Sequence, residues 1–440
     1  PYFEIFLDRS ACPPLEYSQR NDLTRIKEVS EIKEFITEPG RRLEVSRRAG
    51  VVIAGGGVAG ISAAIAAARG GADVVLLERE YCLGGMATLG LITIYLPLDD
   101  GMGNQVTFGI SEELLRLSIE HGAEANYPKA WLEGGTLEER KKSRFIAQFN
   151  PHLFALRVEK LLLELGVKIL YGTLGAAVIK DGPRISGIVI ENKSGRSVIT
   201  CDSVVDCTGD ADIAHLAGAP TALNKRGNGL AGWYYYYTGG NVKLKMFGLA
   251  DIPARGNDSG EKAQGSRFDN AKVASLASTR FSGVDGEELS EAVIEVHGKM
   301  YEDILKFKSE QPDYVPVTMS SIPLVRMSRR IVGAYTQDKT EKGAFIPDSI
   351  GVAAEWTASG CCHEISFRTL YSHEVPNLIA AGRNISVTDP MWEVTRTIPA
   401  CALTGEAAGT AASMTNDFPA LRTDELQLRL TSNNVRLHNI

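Results

Sequence analysis

The stretch from Val51 to Glu78 constrains this chain more than any other. An apolar tetrad, Val51-Val52-Ile53-Ala54, enters Gly55-Gly56-Gly57-Val58-Ala59-Gly60. A run of Ala and Ile follows, ending at Arg69-Gly70-Gly71, and then a second tetrad, Val74-Val75-Leu76-Leu77, closed by Glu78. Short apolar runs bounded by glycine read as buried strands, and the alanine-rich run between them has helical length, so the stretch reads as one β-α-β unit. Such a unit is the nucleus of a parallel sheet covered by helices, which places the chain among α/β folds.

The three glycines divide the work of a dinucleotide turn. Gly55 makes the tight turn, Gly57 lets the backbone approach a pyrophosphate, and Gly60 brings helix close to strand. Val58 and Ala59 open the helix, whose first-turn amides and dipole favour a phosphate. Glu78 ends the second strand, placed to accept hydrogen bonds from a ribose 2′-hydroxyl, and an acid there disfavours NADP. By itself this fingerprint leaves NAD and FAD both open.

With 440 residues and 44% apolar content, the chain is long enough for two or three domains with an extensive core. Its net charge is −7 and its Lys and Arg are evenly spread, which argues against a nucleic-acid partner. No apolar run approaches the roughly 18 residues of a membrane span, and Pro1 to Glu16 lacks the order of a secretory signal, so a cytoplasmic protein is expected. The seven cysteines include no Cys-x-x-Cys pair and read as reduced thiols. The histidines lack ligand spacing, and no metal is expected.

Residues 1–48 read as an N-terminal extension with a helix-like run from Leu23 to Ile36. Helices are expected at Glu112 to His121 and His152 to Leu165, and strands at Val167 to Leu170 and Gly187 to Glu191. Residues 220–374 change texture, with Trp233-Tyr234-Tyr235-Tyr236-Tyr237, polar loops between Asn257 and Asn270, and a helix-like run around Leu289 to Lys308. They read as an α+β substrate or cap domain inserted into a Rossmann-like cofactor domain of residues 49–219 and 375–415. A small-residue helix is expected from Pro399 to Met414, and residues 416–440 read as a C-terminal tail.

Three further segments resemble the FAD-dependent oxidoreductases of the glutathione-reductase-like superfamily, with the nearest likeness to bacterial members carrying a Gly-Gly-Met-Ala-Thr motif. In the first, Glu78-Arg79 runs into Leu83-Gly84-Gly85-Met86-Ala87-Thr88, and in the second, Val204-Val205-Asp206 runs into Thr208-Gly209-Asp210-Ala211-Asp212. The third pairs Asn377-Leu378-Ile379-Ala380-Ala381-Gly382-Arg383 with Thr404-Gly405-Glu406-Ala407-Ala408-Gly409. The resemblance spans about Ala49 to Met414 and implies FAD, with Gly84, Gly85, Met86, Thr208, Gly209, Asp210, Gly382, Arg383, Thr404, Gly405 and Ala408 among its contacts. A helix starting near Gly405 would aim free amides at the flavin N1–C2=O edge, where negative charge collects on reduction. The chain has no second Gly-x-Gly-x-x-Gly and no flavin-disulfide cysteine pair, which sets aside the disulfide-reductase branch.

Chemistry at the flavin requires a positioned substrate carbon and one managed proton. His363 is the candidate for proton handling, with a structural hydrogen bond as its alternative. Arg368 and Arg396 are candidates for binding a substrate carboxylate or for stabilising an anionic flavin or a developing oxyanion, or else for ion pairs with Glu364, Asp389 or Glu393. Many relatives carry His where this chain has Asp389. Arg326, Arg329 and Arg330 match a basic patch of the family and read as salt-bridging groups. Two of the four tyrosines Tyr234 to Tyr237 could line a substrate pocket, since a strand alternates its faces.

The expected activity is hydride transfer between a small organic substrate and flavin N5, with oxygen, a quinone or a redox protein as electron acceptor. Rivals are a fumarate-reductase-like enzyme acting on an activated double bond, a non-redox flavoprotein of the tRNA-modifying type, and an NAD dehydrogenase. A homo-oligomer and a covalent flavin both stay open.

Overall fold

The computed structural model describes residues 36, 38–247 and 280–439. Apart from Ile36, the helix expected at Leu23 to Ile36 lies outside the described residues, and so do Cys12 and the polar loops between Asn257 and Asn270. Residues 1–42 form one unit, whose described part lacks regular structure and pairs Arg41 with Glu38 at 2.8 Å. Residues from Leu43 onward form the other unit, described next.

Its centre is a seven-stranded sheet among the described residues. Strand β1 (Val45–Ala54) leads directly into helix α1 (Val58–Arg69) and then β2 (Val74–Leu77), which pairs with β1 in parallel, Val51 opposite Val74. This is the β-α-β unit read from the sequence, although β1 reaches back to Val45, ahead of the boundary at residue 49. Its first residues are exposed and are held by pairing with 198–200. Strand β3 (Lys168–Leu170) lies beyond β2, also in parallel. The long hairpins β4 (Leu174–Asp181), β5 (Arg184–Asn192) and β6 (Gly195–Asp206) form an antiparallel meander, and the end of β6 re-enters the sheet parallel to β1.

Helix α2 (Ile110–Ser118) and α3 (Pro151–Glu164) cover one face. Asn150 caps α3, its side chain accepting from the amides of His152 and Leu153, and Pro151 sits in the first turn where its missing N–H costs nothing. In residues 220–374, β7 (Gly232–Thr238) pairs antiparallel with β8 (Asn241–Phe247) and β9 (Val315–Met319). Tyr234 and Tyr236 pack toward Val296, Met300 and Tyr314, beside helix α4 (Gly286–Glu310), and the Tyr234 hydroxyl donates to Asp303 at 2.7 Å. Trp233 and Tyr235 face the other way, onto Leu91 and Leu324. Tyr235 is tied by its hydroxyl to Thr93 (2.9 Å) and Glu124 (2.8 Å), while Tyr237 is 42% exposed.

Strand β10 (Ser349–Ala354) pairs with β11 (Cys362–Ser366), and β12 (Leu378–Ala380) then joins the large sheet, parallel to the last residues of β6. Helix α5 (Asp389–Thr395) and α6 (Ile398–Met414) follow. Helix α6 matches the small-residue helix read from Pro399 to Met414, and it corrects the separate expectation of a helix start near Gly405. Pro399 in the first turn fixes the beginning at Ile398, so Gly405 lies inside the helix. There it serves contact rather than capping. A Cβ on Gly405 would stand 2.2 Å from the Ala59 carbonyl oxygen, and one on Gly409 would stand 2.1 Å from that of Ala63. The Ser62 hydroxyl donates to the Ala402 carbonyl at 2.6 Å, so α1 and α6 meet backbone to backbone.

The C-terminal segment carries α7 (Thr423–Ser432). Val435 enters the main core, and His438 Nδ1 lies 2.9 Å from Glu364. No described helix is long and apolar enough to cross a membrane.

Candidate cofactor site

Backbone crowding shows which glycines of the first turn are structural. Gly55 has φ +100°, and a Cβ there would lie 2.4 Å from the Cys207 carbonyl oxygen. A Cβ on Gly60 would lie 1.8 Å from the Gly55 carbonyl. Gly57 differs from both, because a Cβ on it would meet nothing within 4 Å. Gly57 is also the N-cap of α1 and brings no side chain to it, so the first-turn amides, those of Val58 and Ala59 among them, are left without an intrahelical or side-chain acceptor.

Glu78 closes this turn from the end of β2. It is buried, and its two oxygens accept the amides of Gly56 (2.7 Å) and Glu80 (2.8 Å). Burial pushes its carboxyl above the ordinary range. Gly84, at φ +103°, donates its amide to the Gly56 carbonyl at 2.8 Å, and Gly85 follows at φ +52°. The Gly84-Gly85 loop therefore lies against the first turn, with Met86 packed toward Leu91 and Trp233. Arg79 points outward, 3.5 Å from Glu80.

The other wall is made where β6 and β12 end. Asp206 is fully buried and accepts from the Thr208 hydroxyl (2.7 Å), the Ala214 amide (2.9 Å) and Asn384 (3.2 Å). Burial still raises it to about 6. Gly209 takes φ +83°, where a Cβ would strike Arg383 Nη2 at 2.4 Å. Arg383 holds Asp210 at 3.3 Å and the Val325 carbonyl at 2.9 Å, while the Ser328 hydroxyl also donates to Asp210. Gly382 donates its amide to the Thr404 hydroxyl at 3.0 Å, and Ala408 is buried one turn along α6. The Thr208–Asp212 and Gly382–Asn384 turns are thus fastened to each other and to α6. Asp206, Ser328 and Glu406 were not singled out from the sequence, since a buried polar anchor has no local pattern to announce it.

Each of the three catalytic candidates is met by a carboxylate. His363 on β11 is fully buried, its Nε2 lies 3.3 Å from Glu355, and its Nδ1 has no partner among the described residues. Burial lowers its pKa, so the imidazole is neutral near pH 7. Arg368 makes a two-pronged pair with Asp348, at 3.0 and 3.2 Å, a partner outside those anticipated. Arg396 pairs with Glu393, one of those that were.

A family model described as FAD dependent oxidoreductase matches residues 50–430. The chain belongs to this family. It is a FAD-dependent oxidoreductase, with FAD as cofactor and a general flavin redox function. No curated protein matches it in sequence. Among solved structures it is similar to THI4 of Thermovibrio ammonificans, at 21% identity over 38% of this chain and 61% of that one, with a TM-score of 0.28. The chain thus spans less than two thirds of that protein. It is also similar to a geranylgeranyl bacteriochlorophyll reductase-like protein from Thermoplasma acidophilum, at 11% identity over 88% of this chain and 82% of that one, with a TM-score of 0.41. A third likeness is p-nitrophenol 4-monooxygenase from Pseudomonas putida, at 12% identity over 88% and 89%, with a TM-score of 0.41. The residues present fit a dinucleotide, because the space beside Gly57 is a cradle that a Cβ would fill and the amides around it lack acceptors.

Glu406 on α6 yields a prediction of its own. Its Oε2 accepts the Ile110 amide at 2.7 Å, its Oε1 has no partner among the described residues, and burial raises its pKa from 4.5 to about 8. The folded protein therefore holds a proton that the unfolded chain releases between pH 4.5 and 8. The stability this proton confers is complete below pH 4.5 and is lost as pH rises through about 8. The slope reaches about 1.4 kcal/mol per pH unit. Glu406→Gln keeps an acceptor for Ile110 and should flatten this slope in urea denaturation at pH 5, 6, 7 and 8. An unchanged slope would remove Glu406 as its source.

Proposed function

We propose that the protein transfers a hydride between a small organic substrate and bound FAD, with oxygen, a quinone or a redox protein as the electron acceptor. FAD, when bound, supplies the electron-pair acceptor at N5. The observation that carries this reading is a pair of helices in close contact, α1 after β1 and α6 after α5, that begin without a side-chain cap, at Gly57 and Thr397. The amides of α1 suit the pyrophosphate, and those of α6 suit the negative charge that collects on a flavin during reduction. Glu78 would take the ribose hydroxyl through its remaining lone pairs. Gly84, Gly85 and Met86 would hold the loop over the nucleotide, and the Thr208–Asp210 and Gly382–Arg383 turns would wall its other side. Arg368 and Arg396 are already neutralised by Asp348 and Glu393, and His363 is enclosed, so in this reading the three shape the substrate side and hold its charges in place.

Two readouts test it. Acid precipitation of the yellow protein should release FAD into the supernatant, or leave colour in the pellet if the flavin is covalent. Anaerobic mixing with a panel of hydroxy acids, amines and alcohols should bleach the visible flavin band for at least one class, and admitted oxygen or a quinone should restore it. If no donor bleaches the enzyme and the chemically reduced enzyme passes no electrons to activated alkenes or quinones, the hydride-transfer reading fails.

A further inference from the structure

Around the Gly382–Asn384 turn, Arg329 is paired with Asp212 at 2.6 Å, Arg383 with Asp210 at 3.3 Å, and Arg396 with Glu393. Arg330, half-buried beside them, has no carboxylate within 4.0 Å among the described residues. Its one hydrogen bond there is a 3.4 Å contact with the Ile331 carbonyl. The sequence had grouped it with Arg326 and Arg329 as a salt-bridging group, and for Arg330 the structure corrects this. The short strand Arg329–Ile331 alternates its side chains, so Arg329 turns to the Thr208–Asp212 segment and Arg330 turns away from it. The strand itself is fixed, because the Ile331 amide donates to the Asn384 carbonyl at 3.0 Å.

The Arg330 guanidinium carbon stands 5.9 Å from the centre of the Trp392 ring. Trp392 is fully buried, and its indole N–H has no acceptor among the described residues. One turn further along α5, the hydroxyl of Thr395, also fully buried, has no partner either. Buried polar groups are paired in the great majority of cases, so donors left without acceptors on one element, next to an unpaired cation, mark the place of an acceptor. A guanidinium at this distance is attracted to the ring face, and guanidinium N–H groups not engaged with the protein can pair with a carboxylate.

We propose that Arg330, Trp392 and Thr395 form an anion subsite that takes the carboxylate of a small organic acid, which would make such acids the substrate class of the enzyme. This rests on the reading of the protein as acting on a small organic molecule. A carboxylate is favoured over a phosphate of the cofactor on two grounds. The first-turn amides of α1 already serve the phosphates, and the charge of Asp389, the one acid felt at Arg330, opposes a dianion more than a monoanion.

The holoenzyme would be titrated with benzoate and succinate, and separately with benzamide and succinamide, following tryptophan emission and the visible flavin band. The acids should bind at least about tenfold more tightly than the amides, the amount expected for one charge-assisted pair. Arg330→Gln should weaken the acids by a similar factor and Arg330→Lys by less, with FAD content and thermal midpoint unchanged. Equal binding of acid and amide to the parent protein, or undiminished acid binding by Arg330→Gln, would overturn the subsite. Loss of FAD from a folded Arg330→Gln protein would overturn it as well, by assigning the arginine to the cofactor. These titrations need no turnover, so their failure is distinct from a failure of the bleaching test.

Discussion

Replacing Gly57 with alanine is expected to weaken FAD retention about ten- to a hundredfold while leaving the apoprotein as stable as the parent or slightly more so. The two halves of this result have separate causes. The backbone at Gly57 has φ −68°, which any residue adopts, and a Cβ there meets no protein atom within 4 Å. The substitution therefore strains nothing in the apoprotein and trims the entropy of the unfolded chain by about 0.4–1 kcal/mol. The same methyl group occupies the approach to the α1 amides, and overfilling a close contact costs about 1–3 kcal/mol, which is the stated loss of affinity. Equilibrium dialysis against FAD and urea denaturation of the apoprotein would read the two halves. Undiminished FAD binding by the variant would show that no pyrophosphate passes this glycine. Gly60→Ala supplies the contrast, since its Cβ would lie 1.8 Å from the Gly55 carbonyl and the fold itself should suffer.

The second large effect is expected at Gly405→Ala, with a loss of about 2–3 kcal/mol in folding stability. Two contributions oppose each other here. Alanine is favoured over glycine inside a helix by about 1 kcal/mol, which taken alone predicts stabilisation. Against this stands a contact of 2.2 Å between the new Cβ and the backbone oxygen of Ala59, which no rotamer change relieves. Separating α1 from α6 would also strip contacts at Gly409 and break the Ser62 to Ala402 hydrogen bond. Overpacking therefore wins. Denaturant unfolding of the variant, with Ala412→Gly as a control for helix propensity, measures the balance, and a variant as stable as the parent would mean that the helices separate easily.

The β-α-β unit was legible because its signal is local: two apolar tetrads, a glycine turn and a closing acid stand within one short stretch of chain. The helices at Glu112, His152 and Leu289 were legible for the same reason, and their observed limits differ by a few residues at either end. The helix from Pro399 to Met414 was legible from its proline and small residues, but a helix start near Gly405 was misread because the Gly405-Glu406-Ala407-Ala408 run resembles a turn opening a helix, whereas its small residues answer to Ala59 and Ala63, far away in sequence. The partners of the candidate arginines were legible only in part. Glu393 lies one turn from Arg396 and was foreseen, but Asp348 reaches Arg368 through the folding of β10 against β11, and sequence spacing carries no trace of it. Arg330 was grouped with its neighbours because adjacent arginines look alike in a sequence, although a strand sends them to opposite sides.

The close seam between α1 and α6 also sets an order of events during synthesis. Its central hydrogen bond joins residues 340 positions apart, so the chain through α6 must leave the ribosome before the Ala-Gly stripe of α1 can be covered. Closing so long a loop is slow, and the apolar strip stays open to chaperones or to other nascent chains in the meantime. A polypeptide that stops before Ile398 lacks α6 altogether, and it is expected to retain FAD poorly because nothing then covers this face of α1.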